Sequence, residues 1–145
     1  MTSKEKRFNT FFMRVALLSA ENSYANRAKV GAVLVKEGRI ICNSWNGTPS
    51  GFPNSCEDLI DGKLVTKPEV VHAEANVITW AAKNGISTNG TDLYVTLSPC
   101  MSCAVLIIQA GIKRIYYAAE YRNKEAISFL KNHGIDVIRF PCKLK

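Results

Sequence analysis

Two short stretches hold the side chains best equipped for chemistry, His72-Ala73-Glu74 and Pro99-Cys100-Met101-Ser102-Cys103. Imidazole and thiolate are zinc ligands. Three protein ligands leave the fourth tetrahedral position to water, which marks a catalytic rather than a structural site. Residues three apart in a first helical turn share a face, so Cys100 and Cys103 can grip one ion. Pro99 precedes that turn, where a missing N–H costs nothing. The free N–H groups and positive dipole end of a helix N-terminus favour thiolates there. His72 supplies a third ligand from the start of another helix. Two thiolates cancel the charge of the ion, so a further group must help handle the water proton, and Glu74 is placed for that general acid/base work.

Each motif alone has other readings. A lone Cys-x-x-Cys serves as a redox pair or as half of a zinc ribbon. The redox reading predicts a thioredoxin-like strand-to-helix context and has no use for His72 and Glu74. A structural zinc would want a fourth Cys or His nearby. The only other histidine, His133, precedes Gly134 at a helix end, a place for capping or solvation. Of the remaining cysteines, Cys42 lies in an apolar strand-like run, Cys56 in a polar loop and Cys142 near the tail. Five cysteines are an odd set, and without an export signal they do not read as a disulfide framework.

The elements that must position these residues belong to a chain of 145 residues, read as one domain spanning 1–145. A chain of this length buries about 70% of its unfolded surface without staples. Its 47% hydrophobic and 21% charged composition excludes disordered and collagen-like classes. No apolar run approaches the ~18–20 residues of a membrane span. The basic N-terminus (Lys4, Lys6, Arg7) is followed by Asn9, Thr10 and Arg14 and by no small-residue cleavage site, so a soluble protein of the cytoplasm is expected. The net charge is +7, of which residues 1–7 and 143–145 supply +4. The mildly basic body that remains suits a phosphorylated small molecule better than a groove for long nucleic acid.

Along the chain, Phe11–Ala20 reads as an opening helix with Phe12, Val15, Ala16 and Leu18 to Ser19 on or near one face. Lys29–Lys36 and Arg39–Ser44 read as a hairpin turning at Glu37-Gly38. Residues 45–69, rich in Gly, Pro and Asn, read as a long loop of the kind that is functional or disordered. Helices are predicted over Val71–Lys83, Cys100–Ala110 and Lys124–Asn132, and strands over Asp92–Leu97, Arg114–Ala118 and Ile135–Phe140. The order α-β-β-α-β-α-β-α-β predicts a three-layer α/β/α domain on a five-stranded mixed sheet, its first two strands antiparallel and its later ones parallel.

Spaced 28 residues apart, the His-x-Glu and Pro-Cys-x-x-Cys motifs match the signature of zinc-dependent base deaminases. With Val30-Gly31-Ala32-Val33, Ser44-Trp45-Asn46-Gly47-Thr48-Pro49-Ser50-Gly51, Asn76–Ala82, Tyr94–Cys103 and Gly111–Tyr121, the chain resembles the cytidine deaminase superfamily from about Asn22 to Phe140. The Asn-Gly-x-Pro-x-Gly loop makes it most similar to the deoxycytidylate (dCMP) deaminases, including those of viral type. The resemblance implies the cytidine deaminase-like fold and hydrolysis of dCMP to dUMP and ammonia, a step in pyrimidine nucleotide supply toward dTTP. It implies one Zn²⁺ per chain on His72, Cys100 and Cys103, and Glu74 as the residue that moves protons to N3 and to the leaving amine. The backbone N–H of Ala73 would hold the pyrimidine O2, and the carbonyl of Ser98 the exocyclic amine. Asn46 would meet the sugar hydroxyl, or serve simply as the Asn of an Asn-Gly turn. Arg27 and Lys29, in the loop before the first strand, are candidates for the 5′-phosphate, with Thr48 and Tyr121 as further substrate contacts. Each could equally be a surface or rim side chain.

Family members are often hexamers, activated by dCTP with Mg²⁺ and inhibited by dTTP. That makes Gly47 a candidate regulatory residue, with Trp80 and Lys83 facing a neighbouring subunit. A core aromatic and a solvated lysine are the plain alternatives for the last two. Some viral members carry a second, structural zinc, but the matching positions here are Ala25, Ser55 and Val70, none a ligand there. A deaminase acting on tRNA or single-stranded DNA is the competing enzyme reading. It would need an extended basic and aromatic surface, for which Trp45 beside Asn46 is a start and the compact basic tails are not. A nucleotide sensor that keeps the fold without the chemistry would have no need of Glu74 and all three ligands.

Overall fold

The computed structural model describes residues 1–121 and 124–145. Its elements in chain order are α1 (Ser3–Ala20), β1 (Gly31–Lys36), β2 (Arg39–Trp45), β3 (Glu57–Ile60), β4 (Lys63–Thr66), α2 (Ala73–Lys83), β5 (Asp92–Leu97), α3 (Met101–Gln109), β6 (Arg114–Ala119), α4 (Glu125–Asn132) and β7 (Asp136–Arg139). Five strands form one mixed sheet in the order β2-β1-β5-β6-β7. β1 is antiparallel to both β2 and β5, whereas β5, β6 and β7 run parallel. The parallel crossovers are made by α3 and α4, as parallel pairing demands.

The expected three layers are present. On one face, Phe12, Met13 and Ala16 of α1 pack against Val33, Val35, Tyr94 and Tyr116. On the other, Ala73, Val77 and Ala81 of α2 join Ala104 and Ile107 of α3 and Ile127 and Leu130 of α4 over Ala32, Leu34, Leu93, Val95 and Ile115. β1 is therefore apolar on both faces, the pattern of a covered interior strand. No helix of the described residues is long and apolar enough to cross a membrane.

Two expectations are corrected. The first helix starts at Ser3, not Phe11, because Thr2 and Glu5 form a reciprocal capping box that pulls the polar first turns into the helix. In it Leu18 is 53% exposed rather than turned toward the sheet. The segment 45–69 is not all loop, since β3 and β4 pair as an antiparallel hairpin. Its turn residues Asp61 and Gly62 have φ of 51° and 76°. Positive φ at both positions is the signature of a two-residue hairpin turn, for which Asp-Gly is a favoured pair.

Gly31 sits where β1 comes closest to α1. A Cβ built on it would lie 1.9 Å from the Ala16 carbonyl oxygen, backbone against backbone. Gly31→Ala is therefore expected to exceed the ~1–3 kcal/mol of ordinary overpacking, lowering Tm by roughly 10 °C or more. A thermal melt within about 2 °C of the parent would contradict this close approach.

Candidate active site

The register of the sheet brings the functional segments together at one end. Val95 pairs with Ala32 and Leu97 with Ala119. The loop entering β1 and the chain leaving β6 therefore lie beside the residues that follow β5. Gly31 pairs with Trp45, which adds the end of β2, and Asn46 N–H continues the ladder to the Val30 carbonyl at 3.1 Å. Ligands in α/β sheets gather in such crevices beyond the carboxyl ends of parallel strands. Here the crevice is a cavity of about 450 Å³, lined by residues that include Arg27, Asn46, His72, Ala73, Glu74, Ser98, Cys100 and Tyr121. That volume is typical of small-ligand sites.

The N-termini of α2 and α3 meet at the cavity floor. His72 and Cys100 are the N-cap residues, with extended backbone, rather than members of the helices. Cys103 occupies the third helical position of α3, where a backbone N–H points back at the N-cap side chain. The ligand atoms of His72, Cys100 and Cys103 lie within 4.8 Å of one another. His72 Nδ1 is 3.5 Å from each Sγ. A tetrahedral zinc with Zn–S ~2.3 Å and Zn–N ~2.0–2.1 Å requires an N···S edge of about 3.5–3.6 Å, so the three residues fit that ion.

The electrostatics agree. Hydrogen bonds from Cys103 and His72 pull the Cys100 thiol down to about 3, while its bond to Cys100 and burial push Cys103 up. The bond to Cys100, more than offsetting burial, raises His72. Glu74 is 4% exposed. Burial lifts its carboxyl to about 7, against the lowering effect of its own backbone N–H and of His72. A carboxyl poised there can both take and give a proton near neutrality.

Asn46 lines the cavity, but its side chain also ties the wall together: Oδ1 accepts from Val30 N–H and Nδ2 donates to the Ala28 carbonyl, both at 2.9 Å. Ser98 Oγ accepts from Tyr121 N–H at 2.6 Å, fixing the chain as it leaves β6. Lys29 and Thr48 are not among the lining residues, and Thr48 Oγ1 donates to the Pro53 carbonyl instead. Gly47 forms an isolated antiparallel bridge with Val71, the residue before His72. Trp80 is 47% exposed rather than a core aromatic, and Lys83 is an exposed residue in the last turn of α2. His133 Nδ1 lies 2.8 Å from the Phe129 carbonyl at the end of α4.

Cavity residues that sequence reasoning missed are Glu57 and Thr66 of the hairpin, with Cys56, and Glu120 after β6. The Asp61-Gly62 turn was the available signal for the first two. Glu120 is engaged by Tyr117, Lys124 and Arg139.

The fold and the His/Cys/Cys centre are those of a zinc-dependent deaminase. The chain belongs to the cytidine and deoxycytidylate deaminase zinc-binding family, which it matches over residues 6–119. It is 34% identical to the deoxycytidylate deaminase of Enterobacteria phage T4 over 90% of this chain and 89% of that one. With the deoxycytidylate deaminase of Homo sapiens it shares 41% identity over 76% of this chain and 64% of the relative. Among solved structures, it superposes on the dCMP deaminase of cyanophage S-TIM5, in complex with dCMP and dUMP, with a TM-score of 0.86. Identity there is 42%, covering 97% of this chain and 99% of the other.

Proposed function

We propose that this chain hydrolyses dCMP to dUMP and ammonia. The observation that carries the reading is one cavity holding a zinc-fitting His72/Cys100/Cys103 set, the buried carboxyl of Glu74 and, on another wall, Arg27. His72, Cys100 and Cys103 would hold one zinc per chain, which when bound supplies a water of lowered pKa beside C4 of the cytosine. Glu74 would take one proton from the attacking water and give it to N3. It would then take the proton of the hydroxyl formed at C4 and pass it to the amino group, which leaves as ammonia while C4 becomes the uracil carbonyl. Ala73, first in α2, has an N–H with no acceptor within its own helix and offers it to O2. The Ser98 carbonyl accepts from the exocyclic amine, which selects cytosine over uracil. Asn46 has one further hydrogen-bonding position at each end of its amide for the sugar hydroxyl. Tyr121, 43% exposed at the cavity edge, packs on the sugar or phosphate end. Lys29 and Thr48 lie outside the lining and hold no substrate contact in this mechanism.

The test is ammonia release from dCMP, CMP, deoxycytidine and an RNA oligonucleotide. Fastest turnover of dCMP is expected, and preference for the oligonucleotide would overturn the reading. For the phosphate, Arg27 offers a forked cation to its oxygens. Losing a hydrogen bond to a charged group costs ~1.5–3 kcal/mol. Arg27→Ala should therefore lower kcat/KM for dCMP by roughly 10- to 150-fold and leave the weak activity on deoxycytidine nearly unchanged. Equal losses on both substrates would instead mean a structural role.

The regulatory reading has support in the Gly47–Val71 bridge, whose two hydrogen bonds of 3.1 and 2.8 Å tie the Asn-Gly loop to the residue before His72. A dCTP–Mg²⁺ or dTTP complex bound at that loop would reach the metal ligand His72 through its chain neighbour Val71. Trp80, Met101, Val105 and Leu106 leave apolar surface exposed on α2 and α3, which supports self-association into a hexamer.

A further inference from the structure

The hairpin β3–β4 stands apart from the main sheet, yet its base reaches the cavity. Glu57 and Thr66 face each other across that base and both line the pocket. Glu57 Oε2 accepts the backbone N–H groups of Asn26 and Arg27, at 2.9 and 3.0 Å. Thr66 Oγ1 accepts from Arg27 Nη1 at 3.2 Å. One rung of the hairpin therefore grips both the backbone and the guanidinium of Arg27. The second oxygen of Glu57, Oε1, is sealed from solvent and has no hydrogen-bond partner among the described residues. Burying a polar atom without a partner is costly, so a carboxylate kept in that position needs compensation. The two backbone N–H groups supply it, since bonds to an ionised acceptor are roughly twice as strong as neutral ones.

We propose that Glu57 is a positioning residue for a nucleoside monophosphate: it fixes the loop before β1 so that Arg27 meets the 5′-phosphate in a ready-made geometry. The inference rests on the deaminase reading of Arg27 and deepens it. A loop held in its bound form loses less entropy when the ligand arrives. Glu57 touches no reacting atom, so its effect should appear in KM for the phosphorylated substrate rather than in kcat.

The experiment compares zinc-loaded wild type, Glu57→Ala, Glu57→Asp and Glu57→Gln on dCMP and deoxycytidine. Glu57→Ala is expected to raise KM for dCMP about 10-fold, the weight of one hydrogen bond to a charged group. Its kcat should stay within about twofold of wild type, and kcat/KM for deoxycytidine should be equally unaffected. Glu57→Gln, which keeps an acceptor of the same reach but without the charge, should restore part of the loss and fall between Glu57→Ala and wild type. Glu57→Asp, one methylene shorter, should raise KM about threefold and carries the test if the alanine variant does not fold. Equal losses on both substrates, a glutamine variant no better than alanine, or an unchanged KM in both Ala and Asp variants would each overturn the proposal. A wild type that releases no ammonia from dCMP would overturn the deaminase reading and this inference with it. A phosphate-selective loss in Arg27→Ala together with a non-selective loss in Glu57→Ala would overturn this inference alone.

Discussion

Glu74→Gln is expected to yield a folded protein that keeps its zinc and loses nearly all turnover of dCMP. The amide has the size of the carboxyl and can still accept a hydrogen bond, so the metal ligands have no reason to move. What disappears is the capacity to carry a proton. General acid/base catalysis contributes ~10²–10⁴-fold at one step, and Glu74 would serve at three: the water, N3 and the departing amine. Residual kcat should therefore fall below about a hundredth of wild type, with zinc content unchanged. The placement favours this, because Glu74 is buried in the first turn of α2, two residues after His72 and on the cavity wall. Steady-state kinetics with metal analysis of the same sample check it. Residual activity above a tenth of wild type would remove Glu74 from the role.

Cys103→Ala should lose both the metal and the activity. Cys103 is buried and its Sγ lies 3.5 Å from His72 Nδ1. Alanine fits the helix, so the fold should survive while the ligand set drops to two. A site of two ligands cannot hold a tetrahedral zinc with one open position, and bound zinc should fall from about one per chain to under a tenth. Because metal bound only by the native state adds to its stability, the gain in Tm on adding zinc to the apoprotein should vanish in this variant. His133→Ala, at the far end of α4, should change neither quantity. An unchanged zinc content in Cys103→Ala would refute the assignment of the centre.

The chemistry of this chain was legible in its sequence because ligands and carboxyl sit in two short motifs at helix starts, where spacing alone dictates a shared face. The sheet was legible for a similar reason. β1 is an almost wholly apolar run, β5 alternates over Asp92–Leu97, and Gly85, Gly111 and Gly134 follow the helices with positive φ. The early start of α1 escaped because Lys4–Thr10 carries no apolar period, although Thr2 and Glu5 hold the capping signal in plain view. The hairpin escaped because Leu59, Ile60, Leu64 and Val65 are exposed, so its residues show no alternation between core and solvent. Glu57 could not be found from local pattern at all. Its meaning lies in bonds to residues about thirty positions earlier in the chain, made only when the hairpin folds against the loop before β1.

The central claim is that a single zinc at His72, Cys100 and Cys103 deaminates dCMP. It is tested most directly by stripping the metal with a chelator, returning zinc in steps and following dUMP formation against bound zinc. The prediction is no activity in the apoprotein, a linear rise to one zinc per chain, and no further increase. Turnover undiminished without zinc, or a fully loaded protein that leaves dCMP unchanged, would contradict it.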